Sequence, residues 1–321
     1  MKRCFALLCC LSLLLCMSGC APSPTAVTVN GSRVDASEYA FYLRYNSDRQ
    51  SEADAVYTDG ETEAARALAM EQIVTGEIVR QKCRELGLAL SDEQKAALEE
   101  EKTALIESLG GKAAYVEYLK ESCLTDRAYD KFQESALYYQ RLYDHISEET
   151  VYTDEALRQF FSDSYITLKY IRFPTVNDYG QPLADNVLEA VRVLAEEVLA
   201  RAQSGDEDFD LLVQSFGGAY NGSTGAIVSR LEGAGVDYIE MAFLLDPNTT
   251  DGVYECADGY YILQRLPVDA TYYESNRDYI RQSALDWAFS QQLSAWKADT
   301  QVTTAGVVED ITLNNVHDYV K

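Results

Sequence analysis

Few side chains in this sequence are equipped for chemistry. Five of its eight cysteines lie within residues 1–20, leaving Cys83, Cys123 and Cys256 beyond them, and the only imidazoles are His145 and His317. The cysteine spacing fits no zinc or CxxC pattern, so no metal site and no cofactor are expected. His145 falls late in a helical stretch and His317 near the C-terminus, which argues against a Ser/His/Asp or Cys/His set. Buried thiols are the first reading of the three cysteines, with a Cys83–Cys123 disulfide as the lesser alternative. What the chain holds in quantity is tyrosine, 23 residues in all. A phenol stays neutral to near pH 10, donates and accepts hydrogen bonds, and offers apolar area with a polar tip. Tyrosines recur on the helical stretches of the first half, among them Tyr39, Tyr42, Tyr45, Tyr118, Tyr139 and Tyr143. That chemistry suits wet, adaptable contact with other chains, although each tyrosine singly reads as an ordinary half-buried core residue.

Cys20 carries a different chemistry. Lys2 and Arg3 precede an apolar run from Cys4 to Met17 that is shorter than the roughly 20 residues of a bilayer span. A basic start, such a run and small residues at its end make an export signal. Met17-Ser18-Gly19-Cys20 resembles a lipobox with Met in place of Leu. We expect residues 1–19 to be a lipoprotein signal peptide cut before an acylated Cys20. Residues 20–25 then form a lipidated tether that holds the protein on the outer face of the cell membrane.

The formal charge of −25 becomes −27 once Lys2 and Arg3 leave with the signal. Such acidity argues against nucleic acid and anionic lipid surfaces as ligands and favours a soluble, self-repelling surface.

The elements that must position these residues change character midway. Residues 26–34 read as a hairpin turning at Asn30-Gly31. Asp35-Ala-Ser-Glu38 and Ser91-Asp-Glu-Gln94 read as capping boxes. Helices are expected over 61–86, 91–109, 112–123, 125–146 and 153–163, with Gly87 closing the first of these. From Tyr165 the pattern becomes mixed. It gives a strand over 165–173, a helix over 185–202 ended by Gly205, and a short helix over 206–215. A glycine-rich loop over 217–225, a strand over 226–230 and a short helix over 237–245 follow. Runs 252–256 and 260–266 flank Asp258-Gly259, a strong hairpin signal. Helix returns over 272–298, and a strand over 307–312 is placed to pair with residues 26–29. The fold class is therefore multidomain: an all-α domain plus an inserted α+β domain. The divisions are 26–163 for the helical part, 164–268 for the insertion, and 269–321 for the helix and tail that return. Two lobes of alternating parallel βα units, as in a solute-binding protein, are not indicated.

The ordered set of stretches resembles the extracytoplasmic foldases of the SurA/PrsA type. In that likeness the α+β insertion is similar to a parvulin peptidyl-prolyl isomerase. TDEALRQFF with ITLKYIRF looks like the lead-in helix and first strand. SGDEDFDLLVQSF, VDYIEMAFLL and DGVYECADGYYILQRL resemble the later helices and the closing hairpin. The likeness implies unfolded or partly folded exported proteins as partners. It also implies catalysis without nucleophile or metal, through an apolar proline pocket and groups that hold a twisting amide.

The sequence departs from that pattern where the family carries its two histidines. They map to Tyr170 and Tyr261. The proline-pocket Phe maps to Tyr238, the pocket Met or Leu falls on Ala234, and Phe243 keeps the last aromatic. Two readings follow for Tyr170 and Tyr261: a surviving hydrogen-bonding pair, or core residues of a domain that keeps the fold without the chemistry. The resemblance implies a membrane-anchored chaperone whose parvulin-like domain is weak or inactive. An active isomerase and a non-enzymatic envelope protein with one dedicated partner are the alternatives.

Overall fold

The computed structural model describes residues 23–47, 55–217, 221–231 and 235–320. The expected signal peptide, the expected lipidation site Cys20 and the expected pocket residue Ala234 lie outside them. The chain forms two compact units: Met1–Glu149 with Phe289–Lys321, and Thr150–Ala288. Among the described residues no helix is long and apolar enough to cross a membrane.

The first unit is mostly helical but not purely so, because it carries a three-stranded antiparallel sheet. Strands β1 (Thr25–Val29) and β2 (Ser32–Asp35) turn at Asn30 and Gly31, both at positive φ (48° and 83°), as a two-residue hairpin requires. The third strand, β7 (Val302–Thr304), pairs with β1 through Val27↔Thr304 and Val29↔Val302. The expected partner of β1 was the stretch 307–312. Instead Val307–Asp310 is a helical turn. Val308 and Ile311, three apart, are both buried, which is the spacing of a helix and not of a strand.

Helix α1 (Ala36–Tyr45) begins at Asp35, whose carboxylate accepts from the Glu38 amide at 3.0 Å. The reciprocal half of the expected capping box is missing, because Glu38 turns inward to Lys131. Helix α2 (Asp59–Glu85) has a complete box from Thr58 and Glu61, and α3 (Asp92–Ser108) one from Ser91 and Gln94. Helices α4 (Lys112–Glu121) and α5 (Asp126–Glu149) follow. The core joins Val27, Val29, Tyr39, Leu43, Ile73 and Ile78 with Leu119, Ile311 and Val316. Within it Lys131 reaches Glu38 and Glu77, each at 2.6 Å, tying α5 to α1 and α2.

In the second unit a four-stranded antiparallel sheet has the order β4-β3-β6-β5. Its strands are β3 (Tyr165–Pro174), β4 (Gly222–Ser229), β5 (Thr249–Cys256) and β6 (Gly259–Leu266). Alternation along β3 sorts the faces. Ile171 and Phe173, with Ile262 of β6, meet Ala195 and Val198 of α7 (Asp185–Ser204) and Leu212 of α8 (Phe209–Leu212). Ile166 and Leu168, with Leu263, meet Ile239, Ala242 and Phe243 of α9 (Asp237–Leu244). A third cluster holds Leu157 and Phe161 of α6 (Asp154–Ser164), Tyr273 of α10 (Ala270–Ser275), and Ile280 and Ala284 of α11 (Arg277–Ala298).

Three expectations change here. The single helix over 272–298 is broken at Asn276, whose φ of −128° is not helical. Strand β4 starts at Gly222, inside the stretch expected to be loop. In the closing hairpin Cys256 pairs with Gly259, so the loop is Ala257-Asp258 and Gly259 already belongs to β6. Glycine is needed there for close approach: a Cβ on Gly259 would lie 2.8 Å from the Phe173 carbonyl oxygen.

Candidate functional site

Strands β3 and β6 and helix α9 bring three of the sequence-designated residues together. Tyr170 lies half-buried on β3, and Tyr261 is 3 % exposed on β6. Tyr238 projects from the first turn of α9. Its ring stacks on Tyr261, with centroids 4.5 Å apart and planes 5° apart. Tyr170 completes the cluster, 5.3 Å from Tyr238 and 5.9 Å from Tyr261. Phe243 is buried on α9 in the same core, with the Arg230 guanidinium carbon 4.6 Å from its ring centroid.

A polar network closes the cluster. The Tyr261 hydroxyl donates to Asp258 Oδ1 at 3.0 Å. The other oxygen of Asp258 is paired with Arg172. Asn221 Oδ1 accepts from Arg172 Nε at 3.0 Å and from Nη2 at 2.5 Å. Burial, then the bond to Asp258, pushes the Tyr261 phenol well above its ordinary pKa. Burial, then the nearby Tyr170, also raises Tyr238. Cys256 packs beside them, its thiol pushed up by burial, then by Asp237 and Asp258. These groups therefore stay neutral at physiological pH, apart from the Arg172–Asp258 ion pair. Sequence reasoning missed Arg172, Asn221, Asp258 and Cys256. Arg172 was within reach, since a residue two along from Tyr170 shares its face of the strand.

An isomerase of the prolyl bond needs an open apolar seat and donors aimed at a twisting amide. Here Tyr238 covers the ring of Tyr261, and the Tyr261 hydroxyl is already committed to Asp258. The three phenol rings pack on one another, with centroids 4.5, 5.3 and 5.9 Å apart.

The helical unit offers open apolar surface. Phe132 of α5 lies 5.1 Å from Phe41, 5.4 Å from Tyr45 and 6.4 Å from Tyr42, all three on α1. Cavities flank this aromatic ridge on two sides. One, of about 350 Å³, is lined by Tyr42, Tyr45, Val79, Phe132, Ala136 and Tyr139. The other, of about 610 Å³, is lined by Phe41, Tyr45, Leu105, Tyr118, Tyr129 and Phe132, with Glu101 and Glu121 at its rim. Tyr45 and Tyr139 are 44 % and 43 % exposed.

The cysteines resolve differently from one another. All three are free thiols. Cys83 lies 3.4 Å from the Tyr138 carbonyl oxygen. Cys123 meets His317 Nδ1 at 3.3 Å, a Cys–His contact that the sequence did not announce. Its thiol is fully buried and pushed up to about 11 by burial, so the contact supplies no thiolate nucleophile.

No protein-family model matches the chain, and no curated protein does. Several solved structures are similar to it. The peptidylprolyl isomerase PrsA of Bacillus anthracis is 16 % identical, over 72 % of this chain and 95 % of that one, with a TM-score of 0.35. PrsA of Bacillus cereus is 12 % identical over 94 % and 100 %, with a TM-score of 0.33. The foldase protein PrsA of Lactococcus lactis is 13 % identical over 93 % and 100 %, with a TM-score of 0.27.

Proposed function

We propose that this chain is an extracytoplasmic chaperone, anchored at Cys20 on the outer face of the cell membrane. Its helical unit holds unfolded exported polypeptides, and its α+β unit acts as a binding module without appreciable isomerase activity. The observation that carries the client-binding role is the ridge of Phe41, Tyr42, Tyr45 and Phe132 with a cavity on each side. Cavities of that size accept single apolar side chains of an extended chain, and rigid aromatic walls lose little conformational entropy on contact. The strongly acidic surface keeps a protein that exposes such a ridge from associating with itself. Inactivity in isomerisation is supported by the stacking of Tyr238 on Tyr261 and by the Tyr261–Asp258 bond. The anchor rests on the Met17–Cys20 motif.

The test is a pair of assays on the mature protein: suppression of aggregation of a denatured client, and acceleration of prolyl-peptide isomerisation. Suppression without acceleration is expected. Acceleration abolished by Tyr170→Ala or Tyr261→Ala would make the protein an enzyme. A blank in both assays would end the chaperone reading.

A further inference from the structure

We propose that the α+β unit carries a second binding site, between α6, β3, β6 and α10, that takes the free carboxylate of an apolar peptide C-terminus, with Arg265 as its anion-binding residue. The cavity is about 340 Å³, at the small end of ligand pockets. Phe161, Tyr165, Tyr273, Val268, Pro247 and Pro267 supply apolar wall.

Arg265 of β6 also lines this cavity. Its Nη1 donates to the Phe243 carbonyl at 3.1 Å and the Leu245 carbonyl at 2.5 Å, where α9 ends. This capping of a helix C-terminus accounts for one nitrogen only. Among the described residues no acceptor meets Nε or Nη2, and no carboxylate pairs with this guanidinium. The free Nε–Nη2 edge presents two parallel N–H groups, the geometry that a carboxylate accepts in bidentate fashion.

The charges nearby favour an anion. The second arginine of the wall, Arg158, pairs with Asp154 at 2.8 Å and Glu274 at 2.6 Å, and Arg277 also pairs with Asp154 at 2.8 Å, so this cluster is balanced without Arg265; the Arg158 guanidinium carbon lies 4.3 Å from the Tyr273 ring centroid. Arg230, over the Phe243 ring, has no carboxylate partner among the described residues either. One open guanidinium edge suits a carboxylate better than a phosphate dianion. A C-terminus sends a single strand out of a small cavity and sets its last side chain beside the anion. An internal Asp or Glu would have to send out two strands. The inference rests on this cavity alone and does not depend on the chaperone reading.

The experiment titrates the mature protein with an acetylated tripeptide ending in Phe, as free acid and as C-terminal amide, and with octanoate, by calorimetry. The free acid is expected to bind one to one. The amide should bind about tenfold or more weakly, since it lacks the charge-assisted pair. Arg265→Gln should lose about as much. Arg265 also caps α9, so Ala270→Trp serves as the second variant: it fills the exposed rim, leaves the α9 carbonyls alone, and should weaken the free acid similarly. Equal binding of acid and amide, indifference to Ala270→Trp, or no binding at millimolar peptide would overturn the proposal. Octanoate binding that the peptide does not displace would overturn the peptide assignment.

Discussion

Tyr261 is the residue on which the two readings of the α+β unit part. Its hydroxyl donates to Asp258 and its ring lies under Tyr238. Removing the hydroxyl with Tyr261→Phe should destabilise the protein by about 1.5–3 kcal/mol, the range for a hydrogen bond to a charged group. Chemical denaturation measures this, and client binding should stay unchanged. Buried phenols also set an alkaline limit. Burial, then the charge of Glu38, pushes Tyr42 up to about 12, and burial, then the bond to Asp251, pushes Tyr254 up to about 12. A phenol whose folded pKa exceeds its unfolded value near 10 stabilises the fold fully below pH 10 and loses that contribution as pH rises through 12. Stability should therefore fall between about pH 10 and 12, and phenolate absorbance should rise cooperatively with unfolding. A smooth titration of all tyrosines near pH 10, with the fold intact, would contradict this. Tyr170, Tyr238 and Tyr261 were singled out in the sequence only by the parvulin resemblance, since periodicity places each on its element but says nothing of their meeting. The Arg172–Asp258–Asn221 network was not legible, since it joins a strand, a turn and a loop far apart in the chain.

At the scale of elements, caps and buried charges decide. Thr58 and Ser91 each complete a capping box, so Thr58→Ala and Ser91→Ala should each lower stability by about 1 kcal/mol. Lys131 serves two carboxylates, Glu38 and Glu77, whose side chains are only 13 % and 8 % exposed. Lys131→Met would leave both buried without a cation. A loss of about 3 kcal/mol is expected, the low end for a broken buried pair because Lys131 is itself 21 % exposed. Thermal melts check both predictions. Helices with strong caps were read from the sequence nearly to the residue: α3 begins just after Ser91, and α7 ends at Gly205 in the left-handed region. The misreadings fall where local signals compete. β7 is three residues long, too short to show a period, while the neighbouring apolar run proved helical. Asp258-Gly259 looks like a hairpin turn, yet Gly259 is required by the packing of β6 against Phe173.

For the whole molecule, a change of period near Tyr165 is visible in the sequence, whereas the two compact units divide at Thr150 and Phe289, so α6, α10 and the first half of α11 belong with the sheet of the second unit. The aromatic ridge was visible only as an abundance of tyrosine. No sequence pattern says that Phe41 and Tyr45 on one helix meet Phe132, some ninety residues later. Under the proposed function the ridge binds clients and the tyrosine cluster of the α+β unit is structural. Tyr45 and Tyr139 are the variants of choice, being exposed residues of the cavity wall. The most direct test is aggregation suppression by the mature protein and by Tyr45→Ser/Tyr139→Ser, with circular dichroism confirming the fold. The account predicts that the wild-type protein suppresses aggregation and that the double variant, still folded, needs several-fold more protein for the same effect. Equal suppression by the two proteins would contradict it.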